Sequence, residues 1–317
     1  MNPLSSNFSR WFSAFCGLAL GLLSVSEVKA QIFTASTGLG NNTGTIGEYD
    51  FSGVPLNSSL LSGIGEPLGI AISGSLLYVA YGGTNGSIGV FTLSGGVVNA
   101  SLVTGLNNPW GIALSGSNIF VAINHSGTVA EYDTSGAVVN ASLITGLISP
   151  YGIAVSGSNL FVSSANGSVL SGSGTVGKYT TSGAVVNASL ITGLKNPEGI
   201  ALSGSNLFVA NSGIAPGTGT ISKYDTSGAV VNASLVSGLN ATSGIAVSGT
   251  NLFVASNYSV VGEYTLTGGT INASLITGLS HPYGITVQEV PEPSSLVLLI
   301  GVSALISLWR CRKCRTY

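Results

Sequence analysis

The thirteen-residue stretch SGAVVNASLITGL occupies residues 135–147, and the identical stretch returns at residues 182–194. Shorter forms of it recur around Asn99, Asn232 and Asn272. Self-similarity at a fixed spacing is the sequence signature of repeat architectures, in which one structural unit is copied along the chain. The stretch therefore marks a repeat, and the length of that repeat indicates the fold.

Fixed positions on both sides of the stretch define the whole repeat. An aromatic residue precedes the asparagine by eight positions, and a Gly-Ile pair follows the asparagine after twelve. Length varies only between a later valine and the next aromatic residue, so this segment is predicted to be a surface loop. The repeated asparagines are Asn57, Asn99, Asn140, Asn187, Asn232 and Asn272. The glycines of the Gly-Ile pairs are Gly69, Gly111, Gly152, Gly199, Gly244 and Gly284.

The repeat length of 40 to 47 residues is that of a four-stranded propeller blade. One unit contains four predicted strands, typified by GIAVSG, LFVA, GTVGKY and AVVNASLI, with Gly-containing turns between them. The repeats begin on a second strand and end on a first strand. We therefore predict an all-β, six-bladed β-propeller whose ring closes by pairing of Ile32–Ala35 with Ile285–Val287. Because one chain closes the ring, we expect a monomer.

The composition fits a buried β structure and excludes some classes of function. Only 6% of the 317 residues are charged, against about 25% in ordinary soluble domains. Strands packed between neighbouring blades are buried on both faces and tolerate little charge, so we expect the repeated line to form the core. The stretch from Gln31 to Glu289 contains three lysines and nine carboxylates. This excess of negative charge excludes the basic surface of a nucleic-acid-binding protein.

The segments NPWGIALSGSNIFVA (residues 108–122) and NPEGIALSGSNLFVA (residues 196–210) resemble the NHL-type propeller repeat. The resemblance covers residues 31–288. It implies the propeller fold and, in most relatives, a binding platform. It does not imply one activity, because propellers carry many functions. The sequence departs from such repeats in having Ser, Thr and Asn where charged residues are common.

A candidate site follows from the residue that precedes each Gly-Ile pair. This residue starts the innermost strand, near the central channel, and it varies between blades although its neighbours are nearly constant. The six residues are Leu68, Trp110, Tyr151, Glu198, Ser243 and Tyr283. We predict a ligand-binding mouth at Trp110, Tyr151, Glu198 and Tyr283, because aromatic and polar mixtures suit sugars or peptides. Simple packing at the rim of the ring is the alternative.

We predict a non-catalytic binding module whose partner is a polysaccharide or a surface protein. No cofactor or metal is predicted, since the body has two loop histidines, His125 and His281, and no cysteine. The alternative is a propeller enzyme, because the Pro-Tyr-Gly-Ile segments also resemble lyases acting on cyclic antibiotics and gluconolactonase-type lactonases. Those relatives use clusters of carboxylates or histidines. In this chain the ring offers one carboxylate, Glu198, with Glu66 and His281 as its candidate partners.

The first 30 residues have the layout of a secretory signal peptide. Arg10 supplies the positive charge, residues 15–25 form a short apolar run, and VKA places small residues before a cleavage point at Ala30. We therefore predict export, and a retained membrane anchor is the alternative.

The last segment, residues 289–317, combines three features. A Pro-Glu-Pro motif is followed by an apolar run at residues 294–309, predicted to be a single transmembrane helix, and by a basic tail at residues 310–317. The motif is Pro291, Glu292 and Pro293. The cations of the tail are Arg310, Arg312, Lys313 and Arg315.

This order of features resembles the PEP-CTERM sorting signal of Gram-negative bacteria. The resemblance implies recognition by an exosortase-type enzyme, a membrane-bound intermediate in the inner membrane, and delivery to the cell surface or extracellular matrix. An ordinary C-terminal anchor is the alternative. Cys311 and Cys314 form a CxxC pair in this tail, but without a second ligand pair it does not indicate a metal site.

Overall fold

The structure is a computed structural model that describes residues 30–40, 42–165 and 172–289. These residues form six four-stranded antiparallel sheets, each of which is one blade, and they contain no helix. The prediction of an all-β, six-bladed propeller with four-stranded blades is confirmed. The predicted signal peptide, sorting motif, transmembrane helix and basic tail lie outside the described residues. No helix that could cross a membrane is found in the described part of the chain.

The strands follow the order of the repeats. The chain enters blade 1 with β1 (Gln31–Ser36), β2 (Gly44–Asp50) and β3 (Pro55–Ile64). Blade 2 contains β4 (Pro67–Ser73), β5 (Leu76–Tyr81), β6 (Gly86–Thr92) and β7 (Val97–Leu106). Blade 3 contains β8 (Pro109–Ser115), β9 (Asn118–Ile123), β10 (Thr128–Asp133) and β11 (Val138–Ile144). Blade 4 contains β12 (Pro150–Ser156), β13 (Asn159–Ser164), β14 (Gly174–Thr180) and β15 (Val185–Leu194).

The remaining strands complete the ring. Blade 5 contains β16 (Pro197–Ser203), β17 (Asn206–Asn211), β18 (Gly219–Asp225) and β19 (Val230–Leu239). Blade 6 contains β20 (Thr242–Ser248), β21 (Asn251–Ser256), β22 (Val260–Thr265) and β23 (Thr270–Thr277). The last strand, β24 (Pro282–Gln288), returns to blade 1 as its innermost strand.

The ring closes where β24 pairs with β1. The two strands are antiparallel, and Ile32 lies opposite Val287 while Thr34 lies opposite Ile285. The predicted closure is therefore confirmed. Because the first blade combines strands from both ends of the repeat region, its hydrogen bonds hold the ring together as a clasp.

The core lies between the blades and is built mainly from the second strands. Phe33, Phe120, Phe161, Phe208 and Phe253 occupy equivalent positions on these strands and are fully buried. Burial of such a side chain contributes roughly 1.5–3 kcal/mol. Buried residues of adjacent blades form shared hydrophobic clusters, so each blade stabilises its neighbours. The prediction that the inner strands are buried on both faces is thereby confirmed.

The glycine of each Gly-Ile pair is required by the close approach of neighbouring blades. A Cβ atom on Gly111 would overlap the backbone carbonyl oxygen of Tyr151 in the next blade, and one on Gly199 would overlap that of Ser243. All six glycines make the equivalent approach to the next residue of the ring. Any side chain at these positions would push two innermost strands apart, which explains why glycine occurs there in every repeat.

One expectation from the sequence is wrong for the outermost strands. The repeated line VVNAS was expected in the core, but Val185 is 65% exposed and Val186 is 52% exposed. Only its apolar end is buried, as with Ile191. The side-chain oxygen of Asn187 accepts a hydrogen bond from the backbone N–H of Ser189 at 3.1 Å, and all six blades repeat this bond.

The asparagine hydrogen bond coincides with an irregularity of the sheet. The pairing of β14 with β15 shifts register between the pairs Val176–Ile191 and Lys178–Asn187. The asparagine thus satisfies a backbone N–H beside a bulge on the outer edge, where the regular ladder of hydrogen bonds is interrupted. Bulges and local side-chain bonds blunt an exposed edge against pairing with other chains.

Candidate binding site at the channel mouth

The six variable residues that precede Gly-Ile come together at one end of the central channel. Each is the second residue of an innermost strand, directly after a proline in five blades and after Thr242 in the sixth. With the six Gly-Ile pairs they line a cavity of about 100 Å³. The structure therefore assembles Trp110, Tyr151, Glu198 and Tyr283 around a single space.

The three aromatic residues of the ring form one cluster. The rings of Trp110 and Tyr151 meet edge to face, with centroids 4.6 Å apart and planes at 86°. Trp110 meets Tyr283 in the same way, at 5.2 Å and 85°. Tyr151 is in the adjacent blade, whereas the blade of Leu68 lies between Trp110 and Tyr283. Trp110 therefore reaches past one blade and joins two sides of the mouth.

Trp110 also carries an unused hydrogen-bond donor. Its Nε1–H is buried and has no acceptor among the described residues. A buried indole N–H normally finds an acceptor, and leaving it unpaired costs about 1–3 kcal/mol.

Glu198 is the only carboxyl group among the described residues that line this cavity. Its Oε1 accepts a hydrogen bond from Asn196 Nδ2 at 2.9 Å, and Ser212 is a second neutral partner. Burial raises the pKa of Glu198 to about 8, and these two hydrogen bonds only partly oppose the effect. The carboxyl group is therefore mostly protonated at neutral pH.

The two tyrosines of the cluster are held by asparagines that were not predicted from the sequence. Asn257 donates to the Tyr283 hydroxyl at 3.0 Å, and Asn124 hydrogen-bonds the Tyr151 side chain. Burial raises the pKa of both tyrosines, and the nearby charge of Glu198 raises it further. Each asparagine belongs to the blade before its tyrosine, so these bonds fix side chains across blade boundaries.

A sequence signal for these supporting residues exists. Asn124, Ser212 and Asn257 all lie three positions after the valine of a second strand, directly after that strand ends. The equivalent residues of all six blades are Thr37, Gly82, Asn124, Ala165, Ser212 and Asn257. This position varies from blade to blade as the mouth residues do, so the same criterion would have found it.

A second cavity, of about 500 Å³ and open to solvent, adjoins the first. It is lined by residues 37–40, which connect β1 to β2, and by Glu66, Asn108 and His281. Leu68, Trp110 and Tyr283 line both cavities. The loop between the second and third strands of blade 1 and the connections between blades thus open on the same face.

The residues named for the alternative of a propeller enzyme are divided between the two cavities. Glu198 lines the channel, whereas Glu66 and His281 line the neighbouring space. Among residues 30–40, 42–165 and 172–289, no group of three His, Cys, Asp or Glu is close enough to hold a metal ion. His125 contacts Asn108, with 3.3 Å between Nε2 and Nδ2, and lines neither cavity.

No family model matches the chain, and a search of curated proteins finds no match. Solved structures share its fold. A chain of the nidogen/laminin complex aligns with a TM-score of 0.65 and 19% identity, over 81% of this chain and 98% of that one. A candidate 6-phosphogluconolactonase from Bacteroides fragilis gives 0.57 and 12%, over 84% and 99%. Hydrazine synthase from Kuenenia stuttgartiensis gives 0.51 and 16%, over 70% of each chain. Such identities show a shared fold alone.

Proposed function

We propose that this protein is a non-catalytic interaction module that binds its partner at the channel mouth. The observation that carries this proposal is the contrast within the innermost strands. Their glycines are identical in six blades, whereas the residue before each glycine differs and lines a cavity. Packing alone would allow the same residue six times. Varied aromatic and polar side chains around one space are typical of a ligand site.

The comparisons are compatible with this proposal. A chain with this fold is part of a complex between nidogen and laminin, so the architecture can serve protein binding. A polysaccharide is the second class of partner, because tyrosine and tryptophan side chains offer both apolar faces and hydrogen bonds. Either partner would meet an open, solvent-filled approach in the second cavity beside the mouth.

The test is a binding screen against matrix polysaccharides and surface proteins. The variants Trp110→Ala and Tyr283→Ala should each weaken the binding of any ligand found severalfold or more, since buried aromatics at recognition sites contribute about 2 kcal/mol or more. Val186→Ala is the control, because this valine lies on the outermost strand and is half exposed. A ligand whose affinity depends on Val186 but not on Trp110 or Tyr283 would place the site on the outer strands.

The proposed setting is the cell exterior. It rests on the signal-peptide layout of residues 1–30 and on the PEP-CTERM resemblance of residues 289–317. An exosortase-type enzyme would act at Pro291-Glu292-Pro293 while residues 294–309 hold the chain in the inner membrane. Replacing these three residues with alanine should leave the propeller folded and leave an uncleaved form in the inner membrane of the native host. Normal surface display of this variant would contradict the proposal.

A second candidate function is a lactonase- or lyase-type enzyme without a metal. The observation in its favour is Glu198, whose pKa is raised to about 8 by burial in a cavity shared with two tyrosines. A carboxyl group with such a pKa can act as a general acid near neutral pH. Turnover of a lactone panel by the native chain, with loss in Glu198→Gln, would support the enzyme. Binding without turnover would support the interaction module.

A further inference from the structure

We propose that the channel mouth receives an organic cation, a guanidinium or an alkylated ammonium group carried by the ligand. This inference rests on the proposed function, because it assigns a ligand chemistry to the same site. It follows from the carboxyl and aromatic groups that the mouth presents, and from the lack of cations among the described residues that line it.

The first observation is a carboxyl group inside the cavity without a cationic partner. The groups that hold Glu198 are the neutral donors Asn196 and Ser212. No lysine or arginine lines either cavity in the described part of the chain, and the exposed Lys195 lines neither. This carboxyl group is mostly protonated while the site is empty, and it becomes half of an ion pair when a cation arrives, because a buried charge is tolerated best when its partner is buried with it.

The second observation is the aromatic cluster beside this carboxyl group. The Trp110 ring stands almost perpendicular to both Tyr151 and Tyr283. The two tyrosines are near enough to Glu198 for its charge to raise their pKa values. Aromatic faces attract ammonium and guanidinium groups electrostatically, and tryptophan does so best. A flat guanidinium can also meet a carboxylate through two parallel hydrogen bonds.

The negative charge of the surrounding protein also favours a cationic ligand. Residues 31–289 contain nine carboxylates and three lysines, so the body carries a net charge of −6. Glu66 lines the adjoining cavity and lies near enough to Tyr283 for its charge to raise the pKa of that tyrosine. A cation approaching through the open cavity therefore meets one carboxylate before it reaches the other, and its association is accelerated by the field.

The test uses two pairs of probes of nearly equal shape. N-acetylarginine amide is compared with N-acetylcitrulline amide, and choline is compared with 3,3-dimethylbutanol, so that each pair sets a single cation against a neutral molecule of similar shape. The full chain carries Trp11→Phe and Trp309→Phe, which leaves Trp110 as the single tryptophan and makes its fluorescence a reporter of the mouth. In at least one pair, the cation should bind roughly tenfold or more tightly than its neutral counterpart. The pair that responds distinguishes guanidinium from alkylated ammonium.

Glu198→Gln should reduce this preference for the cation by roughly fivefold or more. Glu263→Gln is the matched control, because Glu263 is also a buried carboxyl group with a raised pKa, held by Asn251 on another blade away from the mouth. Calorimetry in two buffers of different ionisation enthalpy should also detect proton release on cation binding at pH 7. That release should disappear in Glu198→Gln, since the charged carboxylate forms only when the cation arrives.

The titratable groups that face Glu198 are Tyr151 and Tyr283, and both remain protonated at pH 7 because their pKa values are raised. The released proton would therefore come from Glu198. Equal binding within both pairs, a preference unchanged in Glu198→Gln, or no binding of either cation at roughly 10 mM would overturn the inference. A neutral ligand whose binding depends on Trp110 would then leave the proposed function standing. A ligand bound independently of Trp110 would remove both.

Discussion

Equivalent positions vary between blades at the channel mouth, whereas they repeat on the outermost strands. At the mouth, six equivalent positions hold five different residue types, although they all line one cavity. On the outermost strands, the line VVNAS is identical in four of the six blades, although most of it is exposed. Buried positions usually vary least, because packing restricts them. Repetition in this molecule therefore accompanies what the packing of each blade requires, and under the proposed function the variation at the mouth serves ligand binding.

The largest expected effect comes from breaking the clasp of blade 1. Deletion of residues 31–36 removes β1, which separates β24 from β2 and leaves the ring open. We expect aggregation or loss of a cooperative melting transition, because unpaired strand edges are exposed on both sides of the gap. Circular dichroism during heating measures this. An unchanged melting curve would contradict the closed ring.

The next effect concerns the glycines of the innermost strands. Gly199→Ala should destabilise the fold by about 3 kcal/mol, because its Cβ would overlap the carbonyl oxygen of Ser243. Gly204→Ala is the control, since this turn glycine has a φ of 56° but open space around it. Its cost should be about 1 kcal/mol. Denaturant unfolding of both variants measures the difference, and equal costs would refute the close approach of the blades.

A smaller effect is expected at the mouth, and it depends on pH. Because the pKa of Glu198 is raised from its ordinary 4.5 to about 8, the folded protein holds a proton that the unfolded chain releases. The protein should lose stability as the pH rises from about 4.5 to about 8. Glu198→Gln lacks this loss and should be more stable than the native protein at pH 9, by about 2 kcal/mol after allowance for partial exposure.

Thermal melts of the native chain and of Glu198→Gln across this pH range measure the effect. Glu48, Glu131 and Glu263 also have pKa values raised by burial, but they are present in both proteins and cancel in the comparison. Parallel melting temperatures from pH 4 to pH 9 would show that Glu198 is as solvated in the folded protein as in the unfolded chain.

The smallest effect is expected on the outermost strands. Asn187→Ala removes one hydrogen bond to the N–H of Ser189, at an exposed edge where water can replace it. The free energy of unfolding should fall by about 0.5 kcal/mol. Urea titration can resolve a change of this size. A loss comparable to that of Gly199→Ala would mean that the outer line carries more of the stability than its exposure indicates.

The fold was predictable because the same spacing of key residues recurs in six repeats. Spacing between the aromatic residue, the asparagine and the Gly-Ile pair fixed the strand order, and the half-repeats at both ends indicated closure. The sequence also placed Trp110 and Glu198 at the mouth, since position in the repeat determines position in the ring. It did not predict the exposure of Val185, because an apolar run looks the same on a buried strand and an exposed one.

Contacts between different blades were harder to predict. Asn124 lies 27 residues before Tyr151, and Asn257 lies 26 residues before Tyr283, yet each pair is joined by a hydrogen bond. The contact of Trp110 with Tyr283 passes over a whole blade. Such contacts depend on side-chain rotamers and on how far neighbouring blades approach, which the repeat pattern does not specify.

The register of the clasp has a mechanical consequence. Gln31 and Gln288 lie opposite each other at the same end of an antiparallel pair. A force that pulls residues 31 and 288 apart would therefore open the hydrogen bonds between β1 and β24 one after another, like a zip, instead of loading them all together in shear. If the protein is anchored through only residue 31 or only residue 288, no force acts to separate β1 from β24.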